Sequence, residues 1–248
     1  MLPMGSPERP DVRTPGRVGQ TLLRLLMRRA TIVAAERLSV DLHLITIEGQ
    51  ALRDISWVPG QVIQIAMGSA FRARAYTPLE WTAAAGRLCI LGYAHGNGPG
   101  SAWVSDVRPG DECDIFGPRR SIDVRPLPGQ FILFGDETSL GLGHALSRRD
   151  TARLLASCFE VGDVESSRAA VTQLALGDVS LLERAPDGAH VADMEAMISA
   201  HAAAGASFVL AGKATTIQRL RQALKRHAVP SRRISTKAYW APGKSGLD

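Results

Sequence analysis

Two short clusters contain residue types that could do chemistry. The first is Arg74-Ala75-Tyr76-Thr77. Side chains alternate along a strand, so Arg74 and Tyr76 share a face there. An arginine can clamp a phosphate through its planar fork. A tyrosine two residues on can stack against a planar ring. The tetrapeptide is equally compatible with a surface arginine beside a strand aromatic. The second cluster is His95-Gly96-Asn97-Gly98-Pro99-Gly100-Ser101-Ala102-Trp103. Three glycines and a proline just before a predicted helix let backbone N–H groups approach a pyrophosphate, with the helix dipole favouring the anion. Its spacing is not that of a Walker loop, and a plain turn has the same composition. Trp103 alone fits a core position as well as a binding one.

The rest of the chain limits what these clusters can serve. It has 248 residues, 45% apolar and 21% charged, a composition suited to one large or two small globular domains. No run approaches the roughly 18 apolar residues of a membrane-spanning helix. The apolar stretch Leu22–Met27 is interrupted by Arg24 and followed by Arg28 and Arg29, so neither a signal peptide nor stable membrane insertion is expected. Cys89, Cys113 and Cys158 are odd in number and widely spaced, which argues for free thiols in a reducing cytoplasm. Neither they nor the six histidines show metal-ligand spacing, and no protein-held metal is expected. The formal net charge is +5, and arginine supplies 25 of the 29 basic residues. An anionic partner suits that balance. The arginines are scattered and only 13 residues are aromatic, so a nucleic-acid partner is not expected.

The elements that position the clusters fall into two textures. Residues 1–18 carry four prolines and no apolar period and read as a flexible tail; Gln20–Arg29 could form a short basic helix. From Ala30 to about Pro118, alternating apolar and polar residues predict six short antiparallel strands forming a small barrel. Near Leu127-Pro128-Gly129 the texture changes. The continuous apolar runs QFILFGDE, ARLLASCFEV, VSLLER, ASFVLAG and ISTKAYW predict five strands. Between them lie predicted helices over 139–149, 165–174, 191–204 and 215–227. Such alternation implies βαβ units and a doubly wound parallel sheet, with ligands at the carboxyl ends of its strands. The expected boundaries are a tail over 1–18, a barrel domain over 19–128 and an α/β domain over 129–248. The second domain has no GxGxxG fingerprint.

The order of motifs is more specific than any one of them. RAYT, HGNGPGSAW, RPGD, FGP, GDET and AYWAPG follow in sequence over about residues 28–246. This pattern resembles the siderophore-interacting protein family, flavin-dependent ferric-siderophore reductases within the ferredoxin–NADP reductase superfamily. The resemblance implies an antiparallel FAD-binding β-barrel and a nicotinamide-binding α/β domain. It implies that Arg74 holds the FAD pyrophosphate, that Tyr76 packs on the isoalloxazine ring, that Ala75 between them is also cofactor-binding, and that Thr77 reaches the flavin N5 side or ribityl chain. Gly98, Pro99, Gly100 and Ser101 would cradle the diphosphate, with His95 and Trp103 lining the site. Gly135, Asp136, Glu137 and Thr138 would face NADPH or NADH, and Tyr239 and Trp240 would close over the flavin or guard the nicotinamide pocket.

The implied activity is hydride transfer from NAD(P)H to FAD, then single-electron reduction of siderophore-bound Fe(III). The arginine excess suits an anionic ferric siderophore, with Arg119, Arg120, Arg232, Arg233 and Lys237 as candidate contacts. Two other readings use the same features. One is a reductase for a small electron-transfer protein such as ferredoxin or flavodoxin. The other is a non-catalytic module that binds a siderophore or flavin.

Overall fold

The computed structural model describes residues 27–69, 72–96 and 98–243. The expected tail over 1–18, and residues 20–26 of the expected basic helix, lie outside the described residues. Arg28 and Arg29, placed in that helix from sequence, instead open a strand. Both pair across it, with Ile115 and Asp114 as backbone partners, and Arg29 bridges Glu112 and Asp114 on the neighbouring strand.

The first half forms one antiparallel sheet of seven strands. These are β1 (Arg28–Arg37), β2 (Leu42–Glu48), β3 (Val62–Ser69), β4 (Arg72–Tyr76), β5 (Pro78–Thr82), β6 (Arg87–Tyr93) and β7 (Glu112–Arg119). They lie in the order β4-β3-β7-β1-β2-β6-β5. Alternating burial turns Ile32, Ile45, Ile47, Ile63, Ile65, Leu88, Ile90 and Ile115 into one core. Each isoleucine buried this way contributes about 2 kcal/mol. One of the six expected strands is divided: RARAYTPLEWT becomes β4 and β5, parted at Thr77. Pro78 lacks the N–H a continuous ladder needs, and the chain changes partner there. β4 pairs with β3 and β5 with β6. The first and last strands of the sheet are thus consecutive in the chain, and the sheet curls into a barrel.

A helix, α1 (Pro99–Asp106), crosses from β6 to β7. Its Val104 is fully buried in the barrel core. The approach depends on Gly92, where a Cβ would stand 2.7 and 2.9 Å from the two Val104 methyls.

The second half is a five-stranded sheet in which every pairing is parallel. Its strands are β8 (Phe131–Asp136), β9 (Leu154–Val161), β10 (Val179–Glu183), β11 (Ser207–Lys213) and β12 (Ile234–Trp240), in the order β10-β9-β8-β11-β12. Helices α2 (Leu140–Arg149) and α3 (Val164–Gln173) bury one face, sharing a core with Phe131, Leu133 and Val209. Helices α4 (Ala189–Ala203) and α5 (Ala214–Arg226) cover the other, against Ile132, Phe134, Phe208 and Leu210. Both faces being covered explains why β8 and β11 are continuous apolar runs without alternation. The α2 side of the core also takes in Leu42 and Leu79 of the barrel, so apolar contact joins the two sheets. Among the described residues no helix is long and apolar enough to cross a membrane.

Gly92→Ala is expected to push α1 off the barrel and to cost about 2 kcal/mol through overpacking. Urea unfolding measures this, and wild-type stability in the variant would show that the contact yields freely.

Candidate functional site

A cavity of about 460 Å³ lies where the barrel meets the carboxyl end of the parallel sheet. That is within the range of cofactor sites. β4 supplies Arg74, Ala75 and Tyr76, the break after it supplies Thr77, and the β6–α1 loop supplies His95 and Gly98. The start of α1 adds Pro99, Gly100 and Ser101. From the other half come Thr138 and the end of β12: Lys237, Tyr239 and Trp240. Arg119 and Arg120 border it where β7 ends. Among the described residues lining the cavity, four are basic and none is a carboxylate. Fifteen of the twenty-one candidate site residues singled out from sequence therefore meet at one place.

The details fit FAD. Gly98 caps α1 with extended backbone, Pro99 follows at the first helical position, and no side chain caps the helix. Helix geometry then leaves first-turn N–H groups without an intrahelical acceptor, and the dipole there favours a phosphate. Space is open where a Gly98 Cβ would stand, while a Cβ at Gly100 would come within 3.0 Å of the Arg74 side chain. The atoms met are the Arg74 Cγ and Cδ, so the stem of Arg74 packs beside the helix start, while its guanidinium donates to the Ala73 carbonyl at 2.8 Å; both Arg74 and the helix start line the cavity. Ser101 Oγ donates to the His95 carbonyl and ties the loop to the helix. The Tyr76 ring lies 5.7 Å from that of Trp103. Further in, the Tyr239 hydroxyl faces Thr77 and Ser121. Neither it nor the Ser121 hydroxyl completes a hydrogen bond, so both are buried polar groups able to accept a ligand's polar atoms.

Six residues depart from expectation. Gly135 is buried within β8 and does not line the cavity. Trp103 packs against the barrel core and does not line the cavity. Asp136 and Glu137 are 0% and 3% exposed and turn inward, because donors from the protein itself surround them. Asp136 accepts from the Thr138 N–H at 3.0 Å, from the Thr138 hydroxyl, and from the Trp240 indole N–H at 2.7 Å. Burial is the main influence on its carboxyl and pushes it up to about 6. Glu137 accepts from the Gly162 N–H at 2.7 Å, from the Tyr93 hydroxyl at 3.1 Å, and from both terminal nitrogens of Arg184. Burial and then the Glu137 carboxylate push the Tyr93 phenol up to about 12, so it remains a donor. Arg232 and Arg233 lie before β12, at the end opposite Trp240. The Arg233 guanidinium donates to the carbonyls of Ala202 and Ala206, fastening α4 and the loop after it.

The site also contains residues that the sequence did not single out. Gln64, Tyr93 and Ser121 line the cavity, and Arg184 stands behind it. Tyr93 is two residues from His95, and that spacing was the one available signal. The turn after β8 is a 3-10 turn over Glu137–Ser139. Its capping by Asp136 takes the place a glycine-rich fingerprint would occupy.

Two family models match in succession: the siderophore-interacting FAD-binding domain over residues 68–122, and the siderophore-interacting protein over residues 128–243. The chain belongs to the siderophore-interacting protein family. No curated protein sequence matches it significantly. Among solved structures, a siderophore utilization protein from T. fusca is 22% identical, with a TM-score of 0.70 over 90% of this chain and 95% of that one. The siderophore-interacting protein SipS from Aeromonas hydrophila is also 22% identical, with a TM-score of 0.68 over 88% of this chain and 92% of that one. The ferredoxin reductase of carbazole 1,9a-dioxygenase has a TM-score of 0.72 at 18% identity, over 86% of this chain and 69% of that one. The fold is therefore that of the ferredoxin reductase-like flavoproteins. The first matched segment, residues 68–122, is the FAD-binding domain of that family.

Glu137 joins the barrel to the sheet through Tyr93 and neutralises Arg184, whose side chain is only 22% exposed. Glu137→Ala is expected to lower stability by about 3 kcal/mol, since it leaves a largely buried guanidinium with only the more distant Glu160 carboxylate, 3.8 Å away, to offset its charge. A shift in the urea midpoint measures the loss, and no shift would show that water replaces the carboxylate.

Proposed function

We propose that this protein is a cytoplasmic ferric-siderophore reductase that uses FAD and NAD(P)H. We further propose a barrel unit over 19–128 that binds FAD and an α/β unit over 129–248 that receives the nicotinamide nucleotide. The observation that carries the reading is the charge of the cavity. Arg74, Arg119, Arg120 and Lys237 border it with no carboxylate among the described lining residues. Such a cavity favours anions, and both the FAD diphosphate and many ferric siderophores are anionic.

When bound, FAD would supply the exchange between a two-electron donor and a one-electron acceptor, so that one NAD(P)H and two Fe(III) centres give NAD(P)+, two Fe(II) and one released proton. The chain supplies binding and orientation. Arg74 and the first-turn N–H groups of α1 would hold the diphosphate. Tyr76 and Thr77, side by side at the end of β4, would place the flavin ring. Arg119, Arg120 and Lys237 would draw the ferric chelate to the open side. Hard oxygen ligands hold Fe(II) less tightly than Fe(III), so the reduced metal would leave. Thr138, at the carboxyl end of the parallel sheet, is the cavity residue placed to meet the nucleotide.

The visible spectrum of the FAD-loaded protein tests this, followed anaerobically as NADPH or NADH and then a ferric siderophore are added. Bleaching by a nicotinamide and recovery on adding the siderophore are expected. A yellow protein that neither nucleotide bleaches would overturn the proposed reductant. Recovery with ferredoxin but not with any ferric siderophore would overturn the proposed acceptor.

Arg74→Ala is expected to weaken FAD binding about tenfold or more, as loss of a charge-assisted phosphate contact does. Fluorescence titration of the apoprotein with FAD reads this. Unchanged affinity would remove Arg74 from the diphosphate site.

A further inference from the structure

Asp136 and Glu137 are neighbours, yet their carboxylates hold different aromatic rings. Asp136 Oδ2 accepts from the indole N–H of Trp240 at 2.7 Å, and Glu137 Oε1 accepts from the Tyr93 hydroxyl at 3.1 Å. Both rings line the cavity. Both also pack on one imidazole: His95 stacks on Tyr93 with centroids 4.9 Å apart and meets Trp240 at 5.7 Å. On another side, Lys213 Nζ lies 5.8 Å from the centre of the Trp240 ring. Tyr93 and His95 belong to the barrel and Trp240 to the sheet, so the row spans the two.

Burying a carboxylate is costly, and an apolar side chain would fill the same space at less cost. Glu137 has Arg184 to offset its charge. Asp136 is hydrogen-bonded only by neutral donors. What its charge adds is direction, since a carboxylate fixes where an indole N–H must point. The backbone accommodates it. Gly212, next to the end of β11, has a φ of +97°, and a Cβ there would stand 2.5 Å from the Asp136 carboxylate.

We propose that Asp136 is the positioning residue for Trp240, holding its indole against His95 so that Tyr93, His95 and Trp240 form one preset aromatic wall of the cavity. Asp136 acts through Trp240 and touches no ligand itself. The wall's contribution to flavin binding rests on the FAD reading above; the hold on Trp240 does not.

Asp136→Asn tests the hold, because it preserves shape but leaves one oxygen for donors on two sides. If that oxygen serves Thr138, the amide NH2 meets the Trp240 N–H, donor against donor. In the apoprotein, tryptophan emission is expected to shift to the red and acrylamide quenching to rise. FAD affinity is expected to fall about fivefold, the size of one net hydrogen bond. Trp240→Phe removes the N–H that Asp136 holds. In that background, Asp136→Asn is expected to change neither the emission of the remaining tryptophans nor FAD affinity further. Wild-type emission and quenching in Asp136→Asn would overturn the proposal. So would equal losses of FAD affinity with Trp240 and with Phe at position 240, since Asp136 would then be acting on the fold at large. If the wild-type protein binds no FAD, the cofactor reading fails, and emission and quenching still decide the positioning role.

Discussion

The arrangement depends on one constraint: the central strand β8 ends, deep in the molecule, on two carboxylates that must be satisfied. Everything before them, Phe131 to Phe134, is fully buried and apolar. The strand then delivers Asp136 and Glu137 to a point where water is excluded. Carboxylates in such a place recruit donors or lose their charge. Here they recruit Trp240 from β12, Tyr93 from β6, Arg184 from the end of β10 and the backbone of Gly162. Each donor comes from a different element, so satisfying two acids gathers parts of both sheets. The cavity is the space left in front of that gathering.

Charge is distributed with the same logic on the other side. The two carboxylates beside the cavity, Asp136 and Glu137, are turned into the protein. Basic groups face the cavity: Arg74 on β4, Arg119 and Arg120 at the end of β7, and Lys237 on β12. The uncapped start of α1 adds its partial positive charge. A site built this way has an affinity for anions before any ligand arrives. That explains how a chain with a net charge of only +5 can present a strongly positive cleft.

Much of this was legible in the chain. The change from alternating to continuous apolar runs near residue 128 marked two kinds of sheet, because a barrel strand is wet on one face and a doubly wound strand on neither. Arg74, Tyr76 and the Gly98–Ser101 loop could be picked out because each is a short local motif whose spacing maps to a face or a helix start. Roles that depend on direction were not legible. Asp136 and Glu137 stand in a motif at the carboxyl end of a parallel strand, where ligands usually bind, and yet they point away from the cavity. Arg232 and Arg233 are near Lys237 in sequence but lie at the far end of a strand whose residues rise about 3.3 Å each. Tyr93 carried no motif of its own, and Arg184 was one arginine among many.

The amino-acid sequence by itself determined the two architectures, the order of the elements and the family, because periodicity, turn residues and motif order act locally along the chain. Only the tertiary structure decided which charges face the cavity and which brace the protein. That choice rests on which donors arrive from elements distant in sequence: Trp240 is 104 residues from Asp136, and Arg184 is 47 from Glu137. No local pattern encodes those meetings. They follow from packing the sheets together and from the cost of leaving a buried carboxylate without donors.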